Sequence, residues 1–157
     1  TEMITTYLFD LAKVILFPVD SNYAGELNAK YAVVKSVAGF RFGTYFTFDQ
    51  GMLDFLHTLK GNVRLCMYTS GQIQKAPEVA PVLQDIFEVI VSAEDLGISK
   101  KDPNGYQVVL EKLDQPAEEV LFIDDTEANI IAARQAGLHA IQYRSLSDLQ
   151  EQLQVLS

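Results

Sequence analysis

The sequence contains few of the residues that form disulfides and transition-metal sites. Its 157 residues include one cysteine and two histidines. The single cysteine, Cys66, excludes an intramolecular disulfide, and nothing in the sequence indicates an oxidising compartment. The histidines, His57 and His139, fall in a predicted helix and a predicted strand with no ligand spacing around them, which argues against a transition-metal site.

Long apolar runs and basic residues are also scarce. No stretch reaches the length of a membrane span. The first ten residues, TEMITTYLFD, lack the basic start and apolar segment of a signal peptide. The chain carries 12 basic and 21 acidic residues, a net charge of −9, which argues against a broad nucleic-acid surface. We therefore expect a cytoplasmic protein that has neither a membrane nor a nucleic acid as its partner.

The composition that remains predicts a folded chain with a substantial core. Apolar residues make up 48% of the sequence and charged residues 21%, which is typical of globular proteins and argues against disorder. A chain of 157 residues has the size of one ordinary domain. The sequence therefore predicts a single domain over residues 1–157.

Strand-like and helix-like segments alternate along the chain. Short runs rich in aliphatic, aromatic and β-branched residues predict five strands, at 5–11, 63–69, 87–93, 120–125 and 139–143. Apolar spacing and capping signals predict helices at 22–38, 49–60, 77–85, 102–113, 126–137 and 146–155. Stretch 39–48, GFRFGTYFTF, predicts a hairpin or a loop cover. Continuous apolar strands separated by helices indicate an α/β fold with a mainly parallel sheet, covered on both faces.

Polar side chains follow three of the predicted strands. Asp10 ends the first strand, Thr69 and Ser70 follow the second, and Asp124 and Asp125 end the fourth. In parallel sheets ligands bind beyond the carboxyl ends of the strands, so these residues predict a functional site there. Each one alone is also compatible with an ordinary helix cap. Carboxylates brought together repel unless a cation lies between them, and an oxygen-rich site with few protein ligands suits Mg²⁺.

Two further groups suit a phosphorylated ligand. Thr69, Ser70 and Gly71 offer a hydroxyl and backbone N–H groups at a turn, which can hold phosphate oxygens. The alternative is an ordinary turn into a helix. Lys100 and Lys101 precede the Asp102–Pro103 helix start, where a lysine can offset the charge of the carboxylates and of a phosphate. The alternative for each of them is a solvated loop lysine.

Four segments follow one another along the chain: YLFDLAKVIL, MYTSG, KKDPNGYQVVLEKL and VLFIDDTEANIIAARQAG. In their order and spacing they resemble the motifs of the haloacid dehalogenase superfamily, and the last is the most specific. The resemblance covers residues 5–145. It implies a Rossmann-like three-layer sandwich whose five-stranded sheet has the strand order 5-4-1-2-3.

The resemblance also assigns roles. Asp10 would attack phosphorus and form an aspartyl-phosphate, as the first-motif aspartate does in the family. The substrate-binding positions are Thr69, Ser70 and Gly71, and Lys100, aligned with the motif lysine beside Lys101, would steady the nucleophile and the intermediate. Magnesium would be held by Asp10, the backbone carbonyl of Ala12, Asp124 and Asp125. The implied protein is a Mg²⁺-dependent hydrolase, a phosphatase for a small phosphorylated metabolite.

The sequence departs from the family pattern at Ala12, where the family's phosphatases usually carry a second aspartate that acts as acid and base. General acid–base catalysis contributes about 10²- to 10⁴-fold, so activity is expected to be weak or restricted to substrates with good leaving groups. Two alternatives remain open. One is a phosphonatase-like C–P hydrolase, which would need a Schiff-base lysine such as Lys30 or Lys35. The other is a degenerate member kept as a binding or regulatory protein.

A second departure is the length of the cap. Members with helical caps insert a long bundle after the first motif, whereas here residues 17–48 leave room only for a short cap-like insert. We therefore expect a minimal cap and a comparatively open site. The aromatic stretch 39–48 is interpreted as a lid, as core, or as an interface through which a homodimer forms.

Overall fold

A five-stranded parallel sheet forms the centre of the computed structural model, which describes residues 3–156. Its strand order is β5-β4-β1-β6-β7. Numbered one to five along the chain, this order reads 3-2-1-4-5, which confirms the expected order 5-4-1-2-3 when read from the opposite edge. The strands of the structure are β1 (Thr6–Phe9), β2 (Leu16–Pro18), β3 (Phe46–Phe48), β4 (Arg64–Thr69), β5 (Val89–Ser92), β6 (Val120–Asp124) and β7 (His139–Gln142).

Helices connect the strands and cover both faces of the sheet. They are α1 (Leu27–Val34), α2 (Phe42–Tyr45), α3 (Gln50–Leu59), α4 (Ala80–Ile86), α5 (Ala93–Leu96), α6 (Pro103–Leu113), α7 (Glu127–Gln135) and α8 (Leu146–Leu156). The predicted caps of two helices are present: the Asp49 side chain accepts a hydrogen bond from the Met52 N–H, and the Asp102 side chain accepts one from the Asn104 N–H. No helix within residues 3–156 is long and apolar enough to cross a membrane.

Two apolar cores lie on opposite sides of the sheet. Successive residues of β1 divide between them, with Phe9 in one core and Leu8 in the other, because side chains alternate along a strand. The first core contains buried residues of α1, α3, α4 and α8, and the second contains those of α5, α6 and α7. The buried Cys66 belongs to the second core, and burial raises the pKa of its thiol to about 11. This arrangement confirms the predicted α/β three-layer architecture.

The structure corrects two predictions for the segment between β1 and α3. The helix predicted at 22–38 is wrong in length, since α1 begins at Leu27 and ends at Val34. Before it, the chain turns where the Asp20 carboxylate accepts a hydrogen bond from the Asn22 N–H. After it, the chain leaves the helix in a turn in which the Val37 N–H donates to the Val34 carbonyl at 3.0 Å, and Gly39 then adopts a positive φ of 75°, which glycine accommodates at no steric cost.

The aromatic stretch 39–48 also differs from the predicted local hairpin or loop. It forms α2 and then β3, which pairs antiparallel with β2, a strand that the sequence did not indicate. Phe42 and Phe46 are buried in the first core, in agreement with the core interpretation. The pairing of β2 with β3 closes this segment onto the first core. A homodimer through this stretch stays a prediction.

Candidate active site

Neighbouring central strands carry the predicted acids to one edge of the sheet. Asp10 directly follows β1 and Asp124 is the last residue of β6, which is hydrogen-bonded to β1 in parallel register. The Asp10 N–H donates to the Ile123 carbonyl at 2.9 Å, which extends that pairing to the site. On the other side of β1, β4 ends at Thr69 and delivers Ser70. The site therefore lies at the carboxyl ends of the three middle strands.

Lys100 joins the two buried aspartates. Its Nζ lies 2.9 Å from Asp10 Oδ1 and 2.7 Å from Asp124 Oδ2, and at most 5% of any of the three residues is exposed. The Tyr106 hydroxyl lies 2.6 Å from the Lys100 carbonyl oxygen, which ties the lysine backbone to α6. Lys101 is exposed and forms no such ion pair among the described residues. Lys100 therefore occupies the position that the sequence left open between the two lysines.

Further hydrogen bonds fix the carboxylates. Asp10 Oδ1 accepts a hydrogen bond from the Leu11 N–H at 2.8 Å. Asp124 accepts one from the Thr126 N–H at 2.8 Å on Oδ1 and one from Asn129 Nδ2 at 3.1 Å on Oδ2. These donors lower the cost of burying charged oxygens, because a buried charge without partners is strongly unfavourable.

Three carboxylates form a group that matches a divalent cation. One oxygen from each of Asp10, Asp124 and Asp125 lies within 4.8 Å of the others. When all three acids are ionised, their negative charges and the one positive charge of Lys100 leave a net charge of −2 in a largely buried space. Carboxylate oxygens at this edge are the ligands that Mg²⁺ prefers. The residues present therefore fit a divalent cation that supplies the missing positive charge.

The electrostatics of the cluster point the same way. Burial, together with the charge of Asp124, raises the pKa of Asp10 to about 8, even though Lys100 acts to lower it. Burial and the adjacent Asp124 also raise the pKa of Asp125. Burial lowers the pKa of Lys100, but the charges of Asp10 and Asp124 raise it more, so its pKa lies above the ordinary value. A bound cation would favour the ionised form of Asp10.

The residues after β4 differ in their placement. Thr69 is buried, and its Oγ1 has no hydrogen-bond partner among the described residues. Ser70 is exposed and lines a cleft, whereas Gly71 is buried. A buried hydroxyl without a partner is uncommon, and an anion at this turn would give it an acceptor. The turn therefore has a hydroxyl without a partner at the end of β4, the strand that pairs with β1, although Thr69 itself does not line the cleft.

A cleft of about 690 Å³ opens above the cluster. Asp10, Asp125 and Lys100 line its floor, and Ala12 and Lys13 also line it. The 17–48 segment contributes residues 24–28 to its wall. Lys30 and Lys35, the lysines considered for a C–P hydrolase, do not line this cleft. Each lies against an aromatic ring instead: Lys30 Nζ is 4.4 Å from the centroid of the Tyr23 ring, and Lys35 Nζ is 5.6 Å from that of the Tyr31 ring.

Comparison with models of protein families identifies the family of this chain. Residues 8–137 match the family model described as haloacid dehalogenase-like hydrolase, a region that includes Asp10, Lys100 and Asp124. The chain belongs to this family. It is a haloacid dehalogenase-like (HAD-like) hydrolase, as the four sequence motifs indicated.

Several curated relatives of this HAD-like chain are phosphatases by name. Enolase-phosphatase E1 of Gluconobacter oxydans is 30% identical over 92 residues, which cover 53% of this chain and 38% of the relative. Validoxylamine A 7′-phosphate phosphatase of Streptomyces hygroscopicus is 28% identical over 101 residues, 62% of this chain and 47% of the relative. Drimenol cyclase drtB of Aspergillus calidoustus is 30% identical over 67% of this chain and 21% of its own length. The chain thus spans less than half the length of these relatives.

Solved structures share the fold at low sequence identity. A HAD family enzyme from Bacteroides thetaiotaomicron in a magnesium complex superposes with a TM-score of 0.71 at 16% identity, covering 97% of this chain and 99% of that one. The same enzyme in complex with magnesium and inorganic phosphate gives a TM-score of 0.68 at 15% identity, covering 93% of this chain and 98% of that one. At these identities the likeness shows a common fold.

Two asparagines of this HAD-like site were not predicted from the sequence. Asn129, on α7, donates to Asp124 and is 8% exposed. Its place two residues after the start of a helix that follows the acids was a usable signal. Asn28, on α1, lines the cleft and bonds the loop after β4. The sequence gave no indication of this role, because Asn28 contacts residues that lie 44 and 45 positions further along the chain.

Proposed function

We propose that this HAD-like hydrolase is a Mg²⁺-dependent phosphatase that acts through an aspartyl-phosphate on Asp10. The observation that carries the proposal is the buried cluster in which Lys100 lies 2.9 Å from Asp10 and 2.7 Å from Asp124, at the floor of an open cleft. A nucleophile, a fixed cation and a site for a second cation suit attack on a phosphoryl group. The phosphatase names of the relatives support the same reaction class.

Each residue of the cluster has a defined part. Asp10, Asp124, Asp125 and the Ala12 carbonyl would hold Mg²⁺, which would supply Lewis acidity toward the phosphoryl oxygens and reduce their repulsion of Asp10. The Thr69 hydroxyl, Ser70 and the N–H of Gly71 would hold phosphate oxygens. Lys100 keeps Asp10 oriented and balances the charge of the phosphoryl group during transfer.

The reaction proceeds in two displacements at phosphorus. A carboxylate oxygen of Asp10 forms a bond to phosphorus while the bond from phosphorus to the leaving oxygen breaks, and that oxygen takes a proton from solvent. Water then adds to phosphorus and loses a proton, which releases inorganic phosphate and restores the Asp10 carboxylate. Ala12 has no group to donate or accept either proton. The favoured substrates are therefore small metabolites with good leaving groups, such as acyl phosphates and sugar 1-phosphates.

A panel of phosphorylated compounds tests this proposal. We expect Mg²⁺-dependent release of inorganic phosphate from acyl phosphates and sugar 1-phosphates, and slower release from alkyl phosphates. A chelator should stop the reaction. Absence of turnover on the whole panel, with the protein folded and Mg²⁺ present, would contradict the proposal and favour the binding-protein alternative.

Magnesium binding has its own expected result. Millimolar Mg²⁺ should raise the melting temperature, because a ligand that binds only the folded state stabilises it by about 2.7 kcal/mol at a hundred times its Kd. Asp124→Asn and Asp125→Asn should each remove most of that rise. Asp54→Asn, an exposed aspartate outside the cluster, serves as the matched control. An equal rise in all four proteins, measured by calorimetry, would place the cation elsewhere.

Restoring a carboxylate at position 12 should change activity according to the leaving group. Ala12→Asp is expected to raise the rate on alkyl phosphates by about 10-fold or more, within the range that general acid catalysis supplies. The carboxylate leaving group of an acyl phosphate departs without a proton, so the rate of the first displacement on acyl phosphates should change little. The comparison is made at saturating Mg²⁺ because a new carboxylate adds like charge beside Asp10. Equal rates of both folded proteins on every alkyl phosphate would show that the missing acid is not limiting.

A further inference from the structure

Asn28 connects the 17–48 segment to the loop that follows β4. It is half-buried on α1 and lines the cleft together with Asp10 and Ser70. Its Oδ1 accepts hydrogen bonds from the backbone N–H groups of Gln72 at 3.0 Å and Ile73 at 2.9 Å. One side chain of α1 therefore satisfies two successive donors of the turn that comes directly after Ser70 and Gly71.

Those two bonds fix the orientation of the Asn28 amide. Both partners are N–H donors, so only the amide oxygen can face them, and the assignment of oxygen and nitrogen follows from the network. The amide is planar, so Nδ2 lies on the other branch of Cγ and does not face the N–H groups of Gln72 and Ile73. Among residues 3–156, no protein acceptor receives a hydrogen bond from Nδ2. Asn28 thus brings two unused N–H donors to the wall of the cleft.

The contact between Asn28 and the loop is close. A Cβ built on Gly71 would lie 2.5 Å from Asn28 Cγ and 2.6 Å from its Oδ1, so no larger residue fits at position 71 without displacing the asparagine. Gly71 has no positive φ, which means that the approach of Asn28, and not backbone conformation, requires the glycine. The two residues are thereby matched in size, and Asn28 lies against the loop proposed to hold phosphate.

The side-chain chemistry of residue 28 distinguishes recognition of a phosphoryl group from a role limited to accepting hydrogen bonds from the loop. An aspartate would accept the same two N–H bonds at least as well as asparagine, since charged acceptors form stronger hydrogen bonds. It would, however, present a negative oxygen where asparagine presents a donor. Next to a loop for phosphate oxygens, only the asparagine serves both needs.

We propose that Asn28 is a substrate-recognition residue whose Nδ2 donates a hydrogen bond to an oxygen of the phosphoryl group held at Ser70 and Gly71. The proposal rests on the proposed phosphatase function and adds a contact from the 17–48 segment to it. The segment then closes one side of the phosphate position, even though it is too short to form a helical bundle over the cleft.

The Asn28→Asp variant tests the proposal because it keeps the acceptor and removes the donor. We expect it to melt within a few degrees of the wild type, whereas Asn28→Ala, which loses both loop bonds, melts lower. With Mg²⁺ present, the KM for acetyl phosphate and the inhibition constant of inorganic phosphate should rise by about 10- to 100-fold in Asn28→Asp, as for loss of a hydrogen bond to a charged group. Asn22→Asp makes the same charge change at an exposed position of the segment and should match the wild type.

Each outcome decides between the two proposals. Wild-type KM and inhibition constants in a folded Asn28→Asp would overturn the role of Asn28 and leave the phosphatase function standing. Loss of stability equal to that of Asn28→Ala would also overturn it, because the carboxylate would then have failed to replace the amide oxygen. A wild type that neither hydrolyses acetyl phosphate nor binds phosphate would refute the phosphatase function, and the role of Asn28 with it.

Discussion

Asp10→Asn is expected to abolish phosphatase turnover while the protein stays folded. The amide retains an oxygen that can accept hydrogen bonds from the Leu11 N–H and from Lys100, both of which lie within 2.9 Å of Asp10 Oδ1. It also removes one negative charge from the cluster of acids, which relieves repulsion with Asp124. The amide cannot form the acyl-phosphate bond, so the rate should fall by roughly 10³-fold or more, as when the attacking group of an enzyme is removed.

Turnover of a good substrate at saturating Mg²⁺, together with a melting curve, measures this effect. Asp54→Asn is again the matched control, because it makes the same substitution at an exposed site on α3. A folded Asp10→Asn variant that turns over at the wild-type rate would mean that another residue performs the attack, or that a contaminating phosphatase was measured.

Lys100→Met should have the largest effect on stability. The ammonium lies between two carboxylates that are at most 5% exposed, and methionine leaves both of them without their cation. Removing one partner of a buried ion pair costs about 3–5 kcal/mol. For a chain of this size that corresponds to a fall in melting temperature of roughly 10 °C. Activity should also be lost, because Asp10 is no longer oriented.

Lys101→Met provides the control for this experiment, since the neighbouring lysine is exposed and makes no ion pair with the described acids. It should change the melting temperature by no more than about 2 °C, the usual scale of a surface substitution. Mg²⁺ should recover part of the loss in Lys100→Met by supplying positive charge to the same carboxylates. Equal effects of the two substitutions would contradict the assignment of Lys100 as the buried lysine of the cluster.

The central sheet was predictable because its signals are local. Runs such as VLFIDD combine continuous apolar residues with carboxylates at one end, a pattern that is typical of a buried parallel strand. The same run places Asp124 and Asp125 at the end of a strand from the sequence alone. Parallel strands then bring such ends to one edge, which is why Asp10 and Asp124 could be paired from sequence.

The 17–48 segment was not predictable to the same extent. Its apolar residues suggested one long helix over 22–38, but the chain turns at Asp20 before the helix and between Val34 and Val37 after it, which limits the helix to α1. The pairing of β2 with β3 joins residues some 30 positions apart, with only three residues in each strand. Strands this short carry too little periodicity to be recognised, because tertiary packing decides their structure.

The roles of individual residues depend on contacts between distant parts of the chain. That Lys100, and not Lys101, faces the acids follows from the path of the loop before α6, where Tyr106 holds the Lys100 carbonyl. Asn28 reaches the loop after β4 only through the position of α1 on the first core. Neither relation has a signature in the spacing of residues along the sequence.

The location of the phosphoryl group during turnover tests most directly whether Asp10 is the nucleophile. Wild-type protein is mixed with acetyl phosphate and Mg²⁺, quenched in acid, and mapped by peptide mass spectrometry. We expect a phosphoryl group on Asp10, and more of it than in Ala12→Asp, because Ala12 cannot activate the water that hydrolyses the intermediate. Continuous turnover with no phosphoryl group on Asp10, or with the group on a different residue, would contradict the role of Asp10 as the nucleophile.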